Sequence, residues 1–384
     1  MPAPLEEGQE GSRSPGNHIE LADDNSSVRH DGEASPGLRN SKGWDGKLRV
    51  PKNAVLANPE ALSDPEYSDE DNVIPGEEVA ADEDLLEDEA SDTEDINCTQ
   101  SRVKSIPALR LERFKKVASI SLRQNLIQEI EGLSCTADSL HELDLYDNLI
   151  SHVRGLDDLV NLTSLDLSYN KIKHIKHVSH LSNLTHLYFI SNKISKIDGL
   201  AGLTKLRMLE LGCNRIRELQ NLESLTSLEE LYVGTNKITS LSGLSGLSNL
   251  RVLSAQSNRI RDLSPLKDVP QLEELYITHN ALESLEGLVH NTRLRVLDVS
   301  NNRVGSLRGL GPLAELEEFY ASYNQVSDFA EMERELGDKR ALTEVYFEGN
   351  PLQLRAPALY RNKVRLALPQ VKKIDADFVQ GNPW

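Results

Sequence analysis

LHELDLYDNLISHVRGL, residues Leu140 to Leu156, has apolar residues at Leu140, Leu143, Leu145, Ile150, Val153 and Leu156, with Asn148 between them. This spacing is neither the 3.6-residue period of a helix nor the simple alternation of a strand. It reads LxxLxLxxNxIxxLxxL, and it returns along the chain. The asparagines mark it: Asn125, Asn148, Asn170, Asn192, Asn214, Asn236, Asn258, Asn280, Asn302, Asn324 and Asn350. Most steps are 22 residues; the first is 23 and the last 26.

A fixed period in the twenties with this template is the signature of stacked leucine-rich repeats. Leu143 and Leu145 alternate, so both side chains of a short strand point into a core. One turn cannot bury them alone, so each turn depends on its neighbours. The asparagine amide is placed to satisfy backbone groups of adjacent turns that would otherwise be buried without partners. The fold class is α/β: a solenoid of 22-residue repeats with a parallel concave sheet and short 3₁₀ or helical convex segments.

The chain has 384 residues and a formal charge of -19. Residues 1–100 hold 26 acidic and 7 basic side chains, which accounts for all of it. No Lys or Arg lies between Lys52 and Arg102. Rich in Ser, Gly, Pro, Asp and Glu and without apolar periodicity, residues 1–95 read as a disordered acidic tail. Ser63, Ser68 and Ser91 each precede an acidic residue by three positions, a spacing that suits an acid-directed kinase. Residues 96–116 read as an N-terminal cap, 117–341 as the repeats, and 342–384 as the last repeat with a C-terminal cap. In that cap Pro357 opens a helix whose Tyr360, Val364 and Leu368 share one face. Met332 to Arg340 reads as a second helix.

Cys98, Cys135 and Cys213 form no CxxC and no disulfide framework. No leader-like apolar segment and no membrane span is read, so a reducing compartment is expected. Gly243, Gly246, Gly309 and Gly311 fall in the repeat crossings, not in a phosphate-binding loop. His174 and His177 lack the further ligands a metal site needs. No catalytic motif is present, and we expect neither enzymatic activity nor a cofactor.

Strand alternation predicts the working surface. Residues four before each asparagine form an outward column: Ser121, Asp144, Asp166, Tyr188, Glu210, Tyr232, Ser254, Tyr276, Asp298, Tyr320 and Tyr346. Residues six before add Glu142, Glu230, Glu274, Glu318 and Glu344. Five of the chain's ten tyrosines thus share one stripe. Just after the asparagines the sign reverses, at Lys171, Lys193, Arg215, Lys237, Arg259 and Arg303. An acidic, aromatic sheet suits a protein partner with basic and apolar patches and repels nucleic acid.

The segments LRQNLI (122–127), ELDLYDN (142–148), SNKISKI (191–197), MLELGCNRIR (208–217) and YRNKVRLALPQVKKIDADFV (360–379) resemble the family of leucine-rich-repeat regulatory subunit 7 of protein phosphatase 1. The resemblance runs over roughly residues 96–380. It implies that the phosphatase catalytic subunit is held on the concave face. The family's binding positions match at Asp166, Tyr188, Glu210, Tyr232, Asp298, Glu318, Tyr320 and Tyr346; the stripe itself adds Tyr276. Tyr188 and Tyr232 stand where the family has phenylalanine, and Tyr320 where it has tryptophan. The resemblance also implies a further inhibitory subunit in a ternary complex, a role in phosphatase maturation and mitosis, and a place in nucleus and cytoplasm. The residues alone leave a second reading open, an acidic nuclear repeat protein that binds histones or other basic proteins.

Overall fold

The computed structural model describes residues 85–379. One sheet of fourteen short strands runs through them in chain order, each strand paired with the next. The regular repeats supply eleven: β2 (Ser119–Ser121), β3 (Glu142–Asp144), β4 (Ser164–Asp166), β5 (His186–Tyr188), β6 (Met208–Glu210), β7 (Glu230–Tyr232), β8 (Val252–Ser254), β9 (Glu274–Tyr276), β10 (Val296–Asp298), β11 (Glu318–Tyr320) and β12 (Glu344–Tyr346). Three more lie outside the repeats: β1 (Asp95–Asn97), β13 (Lys373–Ile374) and β14 (Asp377–Phe378). All pairs are parallel except the last, β13 with β14.

Each repeat strand buries its middle residue and leaves the two beside it half-exposed or exposed, except in β8, where Ser254 is buried as well. The inward leucines join one core that runs from Leu86 to Ile374. The asparagines act as the spacing predicts. Asn170 Oδ1 accepts the Ile150 N–H at 3.0 Å, and its Nδ2 donates to Leu145 O in the preceding turn and to Leu167 O in its own. The same set recurs at Asn192, Asn214 and Asn236. One side chain thus satisfies backbone groups of two turns, which burial would otherwise leave unpaired.

The residue just before each asparagine has a left-handed backbone, from Gln124 (φ 56°) through Tyr169 (φ 54°) to Tyr323 (φ 56°). This turn aims the chain inward. It recurs at non-glycine residues that pay a steric cost, of order 1 kcal/mol each, offset by the ladder of bonds it sets up. On the far side the chain crosses mostly in tight turns. The expected 3₁₀ segments occur at Ser134–Thr136, Ser264–Asp268 and Glu286–Leu288, and the regular turns from residue 150 to 250 have none.

The predicted helix over 332–340 lies instead at α1 (Phe329–Leu336), capped where Asp328 accepts the Ala330 N–H at 2.8 Å. The short α2 (Pro351–Leu354) follows β12. The cap helix α3 (Pro357–Ala367) starts at Pro357 and buries Tyr360, Val364 and Ala367, with Leu368 buried just after it. Beyond it Asp375 Oδ1 accepts the N–H of Phe347 and of Glu348, standing in for the carbonyl that a further repeat would supply.

At the other end the structure corrects the boundary at residue 95. Leu86 belongs to the core, Arg113 donates to Leu86 O, and β1 begins at Asp95 and pairs with β2. The acidic and small residues from Glu87 to Asp95 hid the anchoring pair Leu85 and Leu86 just before them. The rest of the acidic segment, with Ser63 and Ser68, lies outside the described residues. Leu86→Ala is expected to lower stability by about 1–3 kcal/mol, a loss of several degrees in a thermal melt. An unchanged melt would return residue 86 to the tail.

Candidate functional site

The strand register lines the central column up residue by residue. Asp144 pairs with Asp166, Asp166 with Tyr188, Tyr188 with Glu210, and Glu210 with Tyr232. Ser254, Tyr276, Asp298, Tyr320 and Tyr346 continue the same row. Eight of the nine predicted residues sit in this row, and Glu318 lies in the row beside it.

Three tyrosines are braced from within their own strand. The hydroxyl of Tyr232 donates to Glu230 at 2.9 Å, that of Tyr276 to Glu274 at 2.9 Å, and that of Tyr320 to Glu318 at 2.6 Å. Two residues apart on a strand, the carboxylate and the ring share one face. The rings are half-buried, and each is held before any partner arrives. Burial and then the neighbouring carboxylate push all three hydroxyls above the usual phenol range, that of Tyr276 to about 12. They therefore stay protonated donors at neutral pH. Tyr320 lies 4.9 Å from Tyr346, which carries the Lys373 ammonium 5.4 Å above its ring; Lys373 also pairs with Glu344 at 3.0 Å.

The carboxylates of the row do something different. Asp166 accepts the Ser168 N–H at 2.8 Å, Glu210 the Gly212 N–H at 2.7 Å, and Asp298 the Ser300 N–H at 3.0 Å. Each caps a backbone donor just past its strand. Burial raises all three above the usual carboxylate range, Glu210 to about 7. For Glu210 the Gly212 hydrogen bond opposes this and the charge of Asp166 adds to it. At the first turns Arg123 bonds Asp144 at 2.8 Å, reaches Asp166 at 3.8 Å and stacks 3.9 Å over Tyr146.

The raised Glu210 carboxyl makes a pH prediction. A carboxyl that holds its proton more tightly in the folded state stabilises the fold below its unfolded value of about 4.5 and loses that contribution as pH rises through 7. Glu210→Gln keeps an acceptor for Gly212 and removes the charge. It is expected to stabilise the chain by about 1–2 kcal/mol at pH 8 and by nothing near pH 4.5. Equal melting shifts at the two pH values would disprove the burial of this charge.

A second pattern escaped the sequence reading. Seven residues before successive asparagines stand Arg207, Glu229, Arg251, Glu273, Arg295 and Glu317. They pair as two-pronged bridges, Arg207 with Glu229, Arg251 with Glu273 and Arg295 with Glu317. The strands beside them alternate in step, and those that follow glutamate read ELY, ELY and EFY. The braced tyrosines therefore recur every 44 residues, on every second strand. The alternation of Arg and Glu at one fixed offset was the signal that could have revealed it.

Comparison with known proteins agrees with this architecture. A family model described as leucine-rich repeats (2 copies) matches residues 160–202, 182–224, 204–246 and 248–290, and a leucine-rich-repeat model matches residues 101–172. An internalin of Listeria monocytogenes superposes with a TM-score of 0.59 at 25% identity, over 75% of this chain and 87% of that one. A leucine-rich-repeat protein of Leptospira interrogans does so with a TM-score of 0.56 at 23% identity, over 70% and 74%. The protein phosphatase 1 regulatory subunit SDS22 of Schizosaccharomyces pombe is 46% identical over 86 residues, 22% of this chain and 25% of the relative. That of Saccharomyces cerevisiae is 43% identical over 98 residues, 25% and 29%. The match thus spans about a quarter of the length of these relatives. The chain is a leucine-rich-repeat solenoid protein, similar in sequence to the SDS22 regulatory subunits of protein phosphatase 1.

Proposed function

We propose that the chain is a non-catalytic regulatory subunit that binds the catalytic subunit of protein phosphatase 1 through the open face of its sheet. The observation that carries this is the row of tyrosines braced by glutamates, set among carboxylates on one face. Aromatic side chains held in place before binding lose little freedom on contact and are the commonest energetic anchors of protein interfaces. Eleven strands at about 4.8 Å offer a surface roughly 50 Å long, ample for a standard interface of about 800 Å² per partner. The similarity to SDS22 subunits supplies the choice of partner. Titration calorimetry of the full chain against the purified catalytic subunit is expected to give a saturable one-to-one isotherm. Absence of binding there, with binding of core histones instead, would favour the reading of an acidic histone-binding repeat protein.

A further inference from the structure

The sheet's acidic face has a counterpart of opposite sign along its edge. The residue after five successive asparagines is Lys171, Lys193, Arg215, Lys237 and Arg259, and two turns on it is Arg303. Their positions are pinned by the backbone. The N–H of Lys171 donates to Ile150 O, that of Arg215 to Ile194 O and that of Arg259 to Ile238 O, one bond per turn. The next residue is buried in every one of these turns, so the cations project away from the core. Lys173, Arg217 and Arg261 lie two positions further on and are exposed as well.

Five of these six cations are not built like the other charges of the molecule. Elsewhere Arg207, Arg251 and Arg295 are each matched to a glutamate one turn away. Lys171, Arg215, Lys237, Arg259 and Arg303 form no ion pair with a described residue. Like charges held at about the 4.8 Å strand spacing repel one another. A polyanion laid along them would relieve that repulsion.

We propose that this row is a second docking site, separate from the sheet face, and that it takes an extended acidic segment of a partner protein. The row is one to two side chains wide. Beside it lies the sheet face with Asp166, Glu210, Glu230 and Glu274. An extended polypeptide fits the strip without crossing onto those carboxylates. A nucleic-acid duplex, whose major groove alone is about 12 Å wide, brings phosphates over them. The two faces, opposite in charge, let one solenoid hold a basic-surfaced and an acidic partner together.

The test is fluorescence anisotropy with the full chain and a labelled peptide of about twenty residues, mostly glutamate. Binding is expected at about 50 mM salt and falls steeply by about 500 mM. The triple variant Lys171→Glu, Arg215→Glu, Arg259→Glu is expected to weaken it tenfold or more while its thermal melt stays unchanged. Equal binding by the triple variant overturns the proposal, as does tighter binding of an oligonucleotide of the same charge. Peptide binding that appears only after Glu77, Glu78, Asp82, Glu83 and Asp84 are neutralised assigns the row to the chain's own acidic segment and overturns the partner. Phosphatase binding by the triple variant is expected to be unchanged, which separates this site from the sheet face.

Discussion

Tyr232→Ala and Tyr320→Ala are each expected to lower affinity for the phosphatase catalytic subunit tenfold or more while leaving the fold intact. Each ring stands on the open side of a strand whose middle residue, Leu231 or Phe319, fills the core. Truncating a well-packed interface aromatic costs about 1–4 kcal/mol in binding. The same truncation removes only a half-exposed ring from the free protein and leaves its glutamate to water, so stability shifts by about 0.5 kcal/mol. Tyr232→Phe isolates the hydroxyl. It keeps the ring and frees Glu230, and it is expected to cost less than the alanine change. Calorimetry beside a thermal melt of each variant decides the matter. Normal binding by both alanine variants, with loss of binding in Arg215→Ala, would move the interface from the sheet face to its edge.

The acidic members of the row make a less direct test. Asp166→Ala and Glu210→Ala each strip the cap from a backbone N–H, at Ser168 and Gly212, and so lose about 0.5–1.5 kcal/mol of folding free energy as well. Their effect on binding is expected to shrink as salt rises, because the charge acts mainly on encounter. Asp166→Asn and Glu210→Gln keep an acceptor for the cap and change only the charge, so they are the cleaner probes.

The repeat template was legible because its physics is local and periodic. A leucine five and another three before the asparagine must point inward, and their tyrosine and acidic neighbours must then point outward. Register follows from the fixed period, which is why the central column is legible in the asparagine spacing alone. What escaped was either non-periodic or second-order. Leu85 and Leu86 are two apolar residues in an acidic run with no repeat spacing, and only packing against the core reveals them. Strand β13 is followed by no asparagine at the template's offset, so the template cannot find it, although Lys373 then comes to lie over Tyr346. The bracing of tyrosine by glutamate was visible as ELY and EFY, but its meaning needed the 44-residue alternation. The left-handed residue before each asparagine carries no consistent side chain, from Gln124 to Tyr323, and so left no mark in composition.

Ending the chain after Leu352 is expected to make it aggregate. Three losses coincide. The face of α3 that carries Tyr360 and Val364 no longer covers the core beside Phe347. Strand β12 becomes an open edge, because Lys372, Lys373 and Asp375 no longer donate to Thr343 O and Val345 O. The N–H groups of Phe347 and Glu348 lose Asp375 as acceptor. An uncovered apolar end on an unpaired strand is a template for another chain, and repeat arrays are closed by caps for that reason. A point variant tests the same idea without deleting the segment. Tyr360 is 4% exposed and its hydroxyl donates to Asp375 at 2.9 Å, so Tyr360→Ala is expected to cost about 3–5 kcal/mol. Tyr360→Phe keeps the packing and removes the bond to Asp375, with an expected cost of about 1–2 kcal/mol. Sedimentation and circular dichroism of the truncated chain, with denaturant melts of the two point variants, give the answer. A monomeric truncated chain with an unchanged spectrum, or a Tyr360→Ala variant as stable as the parent, would mean that the last repeat closes its own core without the cap.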